Sequence, residues 1–370
     1  MNAAKVRADQ NADRRCCEGT EATLKAKKQA RKTGARASSR GRLTLDDIAS
    51  KIGVSTITVS RAFRTPNKVA PRLRDRILKT AQQMGYVISR AASSLASARS
   101  MNIAVIVPSL SNTVFVDILA GVEKILRPKG YHLLLGVSNY SPEEEEALVR
   151  TYLAFDPDGI LITGMNYRDT TRRLIDQVKT PVVHMMELSE KAGIHSVGFS
   201  QEAAAETMTE HLLAQGRRKI SYVAAQLDPR ALARHRGYRE RLKREGLYDP
   251  KYELLVPDKS SIALGGTLLV RLLEQAPDVD AVFFCNDDLA QGALFECMRR
   301  KISVPKTLAV AGFNDLPASA CAVPSLTSIA TPRYEIGMQS ASMLLELIEG
   351  RSIAHRKIDL GFELKARQST

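Results

Sequence analysis

Two groups of side chains in this 370-residue chain have the types and spacing to do chemistry. The first lies in VSTITVSRAF, from Val54 to Phe63. If Val59 and Ala62 face a core from a helix, Ile57 lies about 200° around the axis from Val59 and points outward, with Thr56, Ser60 and Arg61 beside it. Hydroxyls bond base edges or phosphates, an arginine takes guanine in a bidentate way, and an aliphatic side chain packs on a thymine methyl. The second group follows short apolar runs: Ser109 and Asn112, Ser138 and Asn139, Glu187, Asn286 and Asp287, Asn314 and Asp315. Amides and carboxylates so placed bond vicinal hydroxyls in pairs, which suits a sugar or polyol. Taken singly, such residues also form turns and helix caps. Their clustering at comparable positions favours a ligand.

A catalytic reading starts from the adjacent acids Asp287 and Asp288, which could do acid–base or metal chemistry. Neighbours at a helix start point roughly 100° apart, however. No GxGxxG, GxxxxGK[ST], GxSxG or HExxH is present to supply a phosphate cradle, a nucleophile or a metal. The pair reads as a helix cap and its dipole partner, and catalysis is not expected. Five cysteines without CxxC pairing or His-rich spacing argue against a disulfide framework and a zinc site. Cys285, Cys297 and Cys321 are expected as small buried hydrophobes. Neither a cofactor nor a metal is expected.

The charge distribution separates the two groups. Residues 1–42 carry 12 Lys/Arg and 4 Asp/Glu, residues 43–100 carry 10 and 3, and the rest of the chain carries 32 and 33. All the excess positive charge therefore sits in the first hundred residues, implying a polyanionic partner for that end alone. No run of about 18 apolar residues offers a membrane span, and the polar, basic start lacks a secretory signal, so a cytosolic protein is expected.

The elements follow. Residues 1–42 are rich in Lys, Arg, Ala, Gln and Ser and cannot bury a core, which predicts a disordered basic arm. Residues 43–88 read as three short helices. Thr44 and Asp47 form a capping box with Asp in place of Glu, Gly53 permits a tight turn, and Ser55 caps the second helix, which runs to about Arg64. A third helix begins near Pro71 and ends by Gly85. Ile48, Ala49, Ile52, Val54, Val59, Ala62, Ile77, Leu78 and Ala81 are spaced to close one small core. This is a helix-turn-helix pattern, whose second helix enters the major groove of double-stranded DNA. The candidate DNA contacts are Thr44, Ser55, Thr56, Ile57, Thr58, Ser60, Arg61, Asn67 and Val69. Residues 89–100 read as a linker or hinge. In residues 101–370, the runs IAVIVP, HLLLGV, GILITG, PVVHMM, KISYVAA, AVFFCN and LAVAGF read as buried parallel strands, predicting two doubly wound α/β lobes.

The stretches LTLDDIASKIGVSTITVSRAF, KVAPRLRDRILKTAQQMGYV and SRAASSLAS resemble the headpiece and hinge of the LacI/GalR family of bacterial repressors, and the resemblance continues to about Leu364. It implies a periplasmic-binding-protein-like effector domain with a cleft between lobes. It also implies a hinge helix over Arg90–Ser97 that folds on DNA and, paired in a dimer, pushes Leu95 into the minor groove as a kinking wedge. Effector contacts implied by the resemblance are Arg234 in RHRGY, Asn286, Asp287 and Asn314, with Phe115 as an aromatic in the first cleft loop. Ser109, Asn112, Ser138 and Glu187 complete the candidate effector set. VGFSQ departs from the family pattern by placing Ser200 where an Asp is usual.

Within the family, FFCNDDLAQGALFEC, AGFND, IDLGFEL and PSLSNTVF most resemble repressors of gluconate-utilisation genes. An aldonate has one carboxylate for Arg234 and a chain of hydroxyls for the amides. Ketogluconates, idonate and 6-phosphogluconate are close competitors. The resemblance suggests that effector releases DNA, and no leucine heptads follow GFELKARQST, so a homodimer is expected rather than a tetramer. The rival reading is a transport-type sugar receptor; the basic headpiece and missing signal peptide count against it.

Overall fold

The computed structural model describes residues 43–87, 99–111, 113–165 and 167–370. The expected basic arm, the hinge segment with Leu95, and Asn112 lie outside these residues. The chain divides into two compact units, residues 1–93 and 94–370.

In the first unit, α1 (Leu45–Ile52), α2 (Thr56–Arg64) and α3 (Pro71–Gln83) close around Ile48, Ala49, Ile52, Val59, Ala62, Val69, Ile77 and Ala81. The capping box forms: the Asp47 amide donates to Thr44 Oγ1 at 3.3 Å, and the Thr44 amide donates to Asp47 Oδ2 at 2.7 Å. Gly53 ends α1 at φ +78°, a conformation costly for a side chain, and so permits the short turn into α2. Fully buried Ile48 and Ile77 each contribute about 2 kcal/mol of hydrophobic stabilisation. Leu78 corrects the expected core. It is 38% exposed, because α3 presents Leu73, Ile77 and Ala81 inward, with Met84 at its C-cap, and Leu78 sits about 100° from Ile77.

The second unit has two lobes. The N-lobe sheet has the order β11-β5-β4-β3-β1-β2, all parallel, built from β1 (Asn102–Val107), β2 (His132–Val137), β3 (Gly159–Thr163), β4 (Val182–Met185), β5 (His195–Gly198) and β11 (Lys357–Asp359). The C-lobe sheet has the order β12-β10-β9-β8-β6-β7, from β6 (Ile220–Ala225), β7 (Glu253–Val256), β8 (Ala281–Phe284), β9 (Ala309–Asn314), β10 (Thr327–Ala330) and an antiparallel edge, β12 (Glu363–Lys365). Helices α4 (Val114–Leu126), α5 (Pro142–Leu153) and α6 (Asp169–Gln177) belong to the first sheet. Helices α7 (Gln201–Ala214), α8 (Pro229–Arg244), α9 (Ile262–Gln275), α10 (Asp287–Arg300) and the short α11 (Pro317–Cys321) belong to the second. Helix α12 (Arg333–Ile348) returns to pack on α4. There the backbones nearly touch. A Cβ on Gly121 would lie 2.2 Å from the Tyr334 carbonyl oxygen, and one on Gly337 would lie 2.1 Å from that of Ile118.

The chain crosses between lobes three times, after β5, β10 and β11. The Leu360 amide donates to the Gly198 carbonyl at 2.9 Å, and Phe199 packs against both Phe313 and Phe362 where the crossings meet. All seven expected strands form. The remaining β5, β7, β10, β11 and β12 complete the sheets. Cys285 and Cys297 are buried, whereas Cys321 is exposed at the end of the five-residue α11, against expectation.

Candidate functional site: an outward helix face and an interlobe cleft

Each of the two units carries its own group of candidate residues. On the first, α2 presents Ile57, an isoleucine with 63% of its surface open, beside exposed Arg61 and half-buried Ser60. Ser55 caps the helix by accepting from the Thr58 amide, and its hydroxyl meets that of Thr58 at 2.9 Å. The Thr56 hydroxyl donates to Asp46 of α1, and that of Thr44 to Asp47. These four hydroxyls are thus engaged in shaping the helix starts. Asn67 is exposed on the short turn after α2. At Val69 the chain is extended and turns the side chain into the small core, leaving it 9% exposed.

In the second unit, a cleft of about 830 Å³ opens between the lobes at the carboxyl ends of the strands, as expected for open α/β sheets. Ser109, Ser138, Asn139, Tyr140, Glu145, Thr163 and Glu187 line it from the N-lobe, and Gln226, Asp228, Arg230 and Lys259 from the C-lobe. A deeper recess of about 40 Å³ adjoins it, lined by Phe115, Arg234, Asn286 and Asn314 and sharing Tyr140, Gln226, Asp228 and Arg230 with the main cleft.

Arg234 is 7% exposed. Its Nε donates to Gln201 Oε1 at 2.8 Å, its Nη1 donates to the Cys285 carbonyl at 2.5 Å, and its guanidinium lies over the Phe313 ring. No carboxylate of the described residues lies within ion-pair distance of it. Burial lowers its pKa below the usual guanidinium value. Its neighbours are a neutral amide, a backbone carbonyl and an aromatic face, which leaves a buried charge without a counter-charge among the described residues. Asn314 lies nearby, 3% exposed, at the uncommon φ of +106°, and its Oδ1 finds no partner among the described residues. Thr163 Oγ1, in the main cleft, is likewise unpartnered. Both oxygens can accept from ligand hydroxyls.

Arg230, four residues before Arg234 and so on the same face of α8, was absent from the expected set. It pairs with Asp228 at 3.2 Å, and its guanidinium lies 5.9 Å from the centre of the Phe115 ring. Burial works against its charge, but Asp228 and Glu187 hold its pKa above the ordinary value. Glu145 was also missed. Burial pushes its carboxyl up to about 7, with Arg230 lowering it and Glu187 raising it. Glu187 is raised too, chiefly by burial. The i, i+4 spacing in PRALARHRG was the signal that could have revealed Arg230. Glu145 lay hidden in the acidic run PEEEE.

Asp287 is the second correction. It is fully buried, and its carboxylate accepts from Ser328 Oγ at 2.7 Å, the Leu316 amide at 2.7 Å and Ser319 Oγ at 2.9 Å. It fastens β10 and the loop after β9 to α10, and it lines neither the cleft nor the recess. Asn286 borders the recess while its Oδ1 caps α10 at Leu289 and its Nδ2 donates to Ser260. Ser200, the departure in VGFSQ, accepts from the Ala203 amide as the cap of α7.

Comparison with known proteins places this geometry. Residues 44–89 match the model of bacterial regulatory proteins of the lacI family, and residues 209–370 match a periplasmic binding protein-like domain. A regulator named HTH-type transcriptional regulator GntR, from Pseudomonas aeruginosa, is 50% identical over 330 residues, covering 89% of this chain and 96% of that protein. The chain belongs to the LacI family of bacterial regulatory proteins. The Escherichia coli regulator of the same name is 36% identical, covering 87% of this chain and 97% of its own. The crystal structure of transcription regulator GntR from Chromobacterium violaceum, 46% identical, superposes with a TM-score of 0.71, covering 72% of this chain and 98% of that one.

As a LacI-family member, the chain is a helix-turn-helix transcriptional regulator, with the DNA-binding unit first and an effector-domain fold after it. These relatives give the transport-receptor alternative no support. No helix among the described residues is long and apolar enough to cross a membrane.

Proposed function

We propose that this regulator represses transcription as a homodimer on a palindromic operator and that a sugar acid of the gluconate type, bound between the lobes, releases it. The observation that carries the effector reading is the pairing of a buried, carboxylate-free Arg234 with the unpartnered Asn314 Oδ1 in one recess. An aldonate has a carboxylate for the arginine and hydroxyls for the acceptors. Arg230, Glu145, Glu187, Ser109, Ser138 and Phe115 complete its surroundings, with Asn286 at the edge, and Asn112 is a further contact that the sequence pattern implies. On DNA, Ile57, Ser60, Arg61 and Asn67 meet the duplex, while Thr44, Ser55, Thr56 and Thr58 shape the helix starts beside it, and Leu95 serves as the minor-groove wedge.

The protein acts by linkage and not by catalysis. A ligand shifts the operator equilibrium only to the extent that it prefers one lobe arrangement. At the pair of acids considered for catalysis, Asp287 is committed to three donors. The test is calorimetry of gluconate, ketogluconate, idonate and 6-phosphogluconate with the full chain, alongside a gel shift on DNA upstream of its own gene. Micromolar binding of one acid that lowers operator affinity supports the reading. Binding of none of them, or operator affinity indifferent to the acid that binds, would overturn it.

A further inference from the structure

The geometry points to Arg333 as the positioning residue that holds the two walls of the deep recess in register, an inference that rests on that recess being the effector site. Arg333 opens α12 directly after the second interlobe crossing. Its Nε donates to Asp117 Oδ2 at 2.9 Å, in the first turn of α4. Its Nη1 donates to the Asn314 carbonyl, at the end of β9, and to Thr331 Oγ1 at 3.2 Å. Phe115, two residues before Asp117, lines the recess from the N-lobe, and Asn314 lines it from the C-lobe. One guanidinium therefore ties the backs of both walls together.

The two ties differ in strength. Asp117 is about half exposed, so that ion pair is screened and weak. The Arg333 side chain is only 10% exposed, and its charge-assisted bond to a backbone carbonyl is the firmer attachment. Asn314 needs it. A non-glycine residue at φ +106° persists only when its surroundings fix it. Lysine at 333 would keep the charge but lose the fork that reaches both partners.

The test compares Arg333→Met, Arg333→Lys and Asp117→Asn in the full chain, with two readouts. Hydrogen exchange of the ligand-free protein is expected to accelerate in Arg333→Met within residues 113–118 and 314–316, while the strands of both sheets keep their protection. Calorimetry with gluconate is expected to show about tenfold weaker binding for Arg333→Met and Arg333→Lys, and roughly two- to threefold for Asp117→Asn. A purely structural residue would instead lower protection everywhere and leave the affinity of the folded fraction unchanged. Unaltered exchange in both segments overturns the proposal, as does wild-type gluconate affinity in the two Arg333 variants. If the wild type binds no gluconate, the effector reading falls, and the exchange pattern alone decides whether Arg333 joins the two walls.

Discussion

The guanidinium of Arg234 lies 3.8 Å from the centroid of the Phe313 ring, sandwiching the buried charge between an aromatic face and the ligand recess. Its Nε is held by Gln201, which in turn donates to the Met186 carbonyl of the N-lobe. The buried guanidinium is thus oriented from both lobes.

Replacing Arg234 with Lys keeps the charge but forfeits the planar stack and the bond to Gln201. Binding of a sugar acid should weaken by roughly a hundredfold, about 3 kcal/mol, in isothermal calorimetry. An affinity within threefold of wild type would place the effector carboxylate on another group, Arg230 being the first to examine.

Arg61→Ala should reduce the preference for operator over scrambled DNA by about 1–3 kcal/mol, leaving salt-sensitive binding to any duplex. Competition gel shifts at two salt concentrations measure this. If discrimination persists, sequence reading belongs to other residues of α2.

The seven long apolar runs made most of the fold legible. The missed strands are three or four residues long and mix polar with apolar positions, as in HSVG, KID and ELK, so neither a run nor an alternation stands out. That Arg234 and Asn314 border one recess was legible because RHRGY and AGFND place them on a helix and at a strand end. Asp287 was misread because a strand-end acid that faces a ligand and one that staples a loop have the same sequence signature; only the three donors converging on it separate the roles. Leu78 shows the same limit at smaller scale, since two adjacent apolar residues on a short helix leave the inward one undetermined by a single residue.

Asp287→Ala should lower stability by about 3 kcal/mol, because it strands two hydroxyls and an amide without an acceptor in a buried place. Urea unfolding should show a lower midpoint with an unchanged slope. A midpoint equal to wild type would mean that water or another group replaces the carboxylate.

Glu145 predicts a pH dependence. Its carboxyl is raised from the ordinary 4.5 to about 7, first by burial and then by Glu187, with Arg230 opposing. The folded state therefore holds a proton that the unfolded chain releases between pH 4.5 and about 7. Stability from this group is present at the acidic end of that window and is lost as pH rises through about 7. Thermal melts should show Glu145→Gln abolishing that component and melting higher than wild type at pH 8.

An acidic effector entering beside Glu145 should favour its protonated form further, so binding near pH 7 should take up a fraction of a proton. Calorimetry in two buffers of different ionisation enthalpy detects this uptake, and Glu145→Gln should eliminate it. Equal heats in both buffers would show that the ligand anion sits beyond its reach.

Three neighbouring chain crossings, pinned by the Leu360–Gly198 bond and the Phe199 cluster, gather every covalent link between the lobes at one seam. A strand cut or lengthened there would loosen both sheets at once, so this narrow bundle of connections is where the two halves of the domain are made into one body.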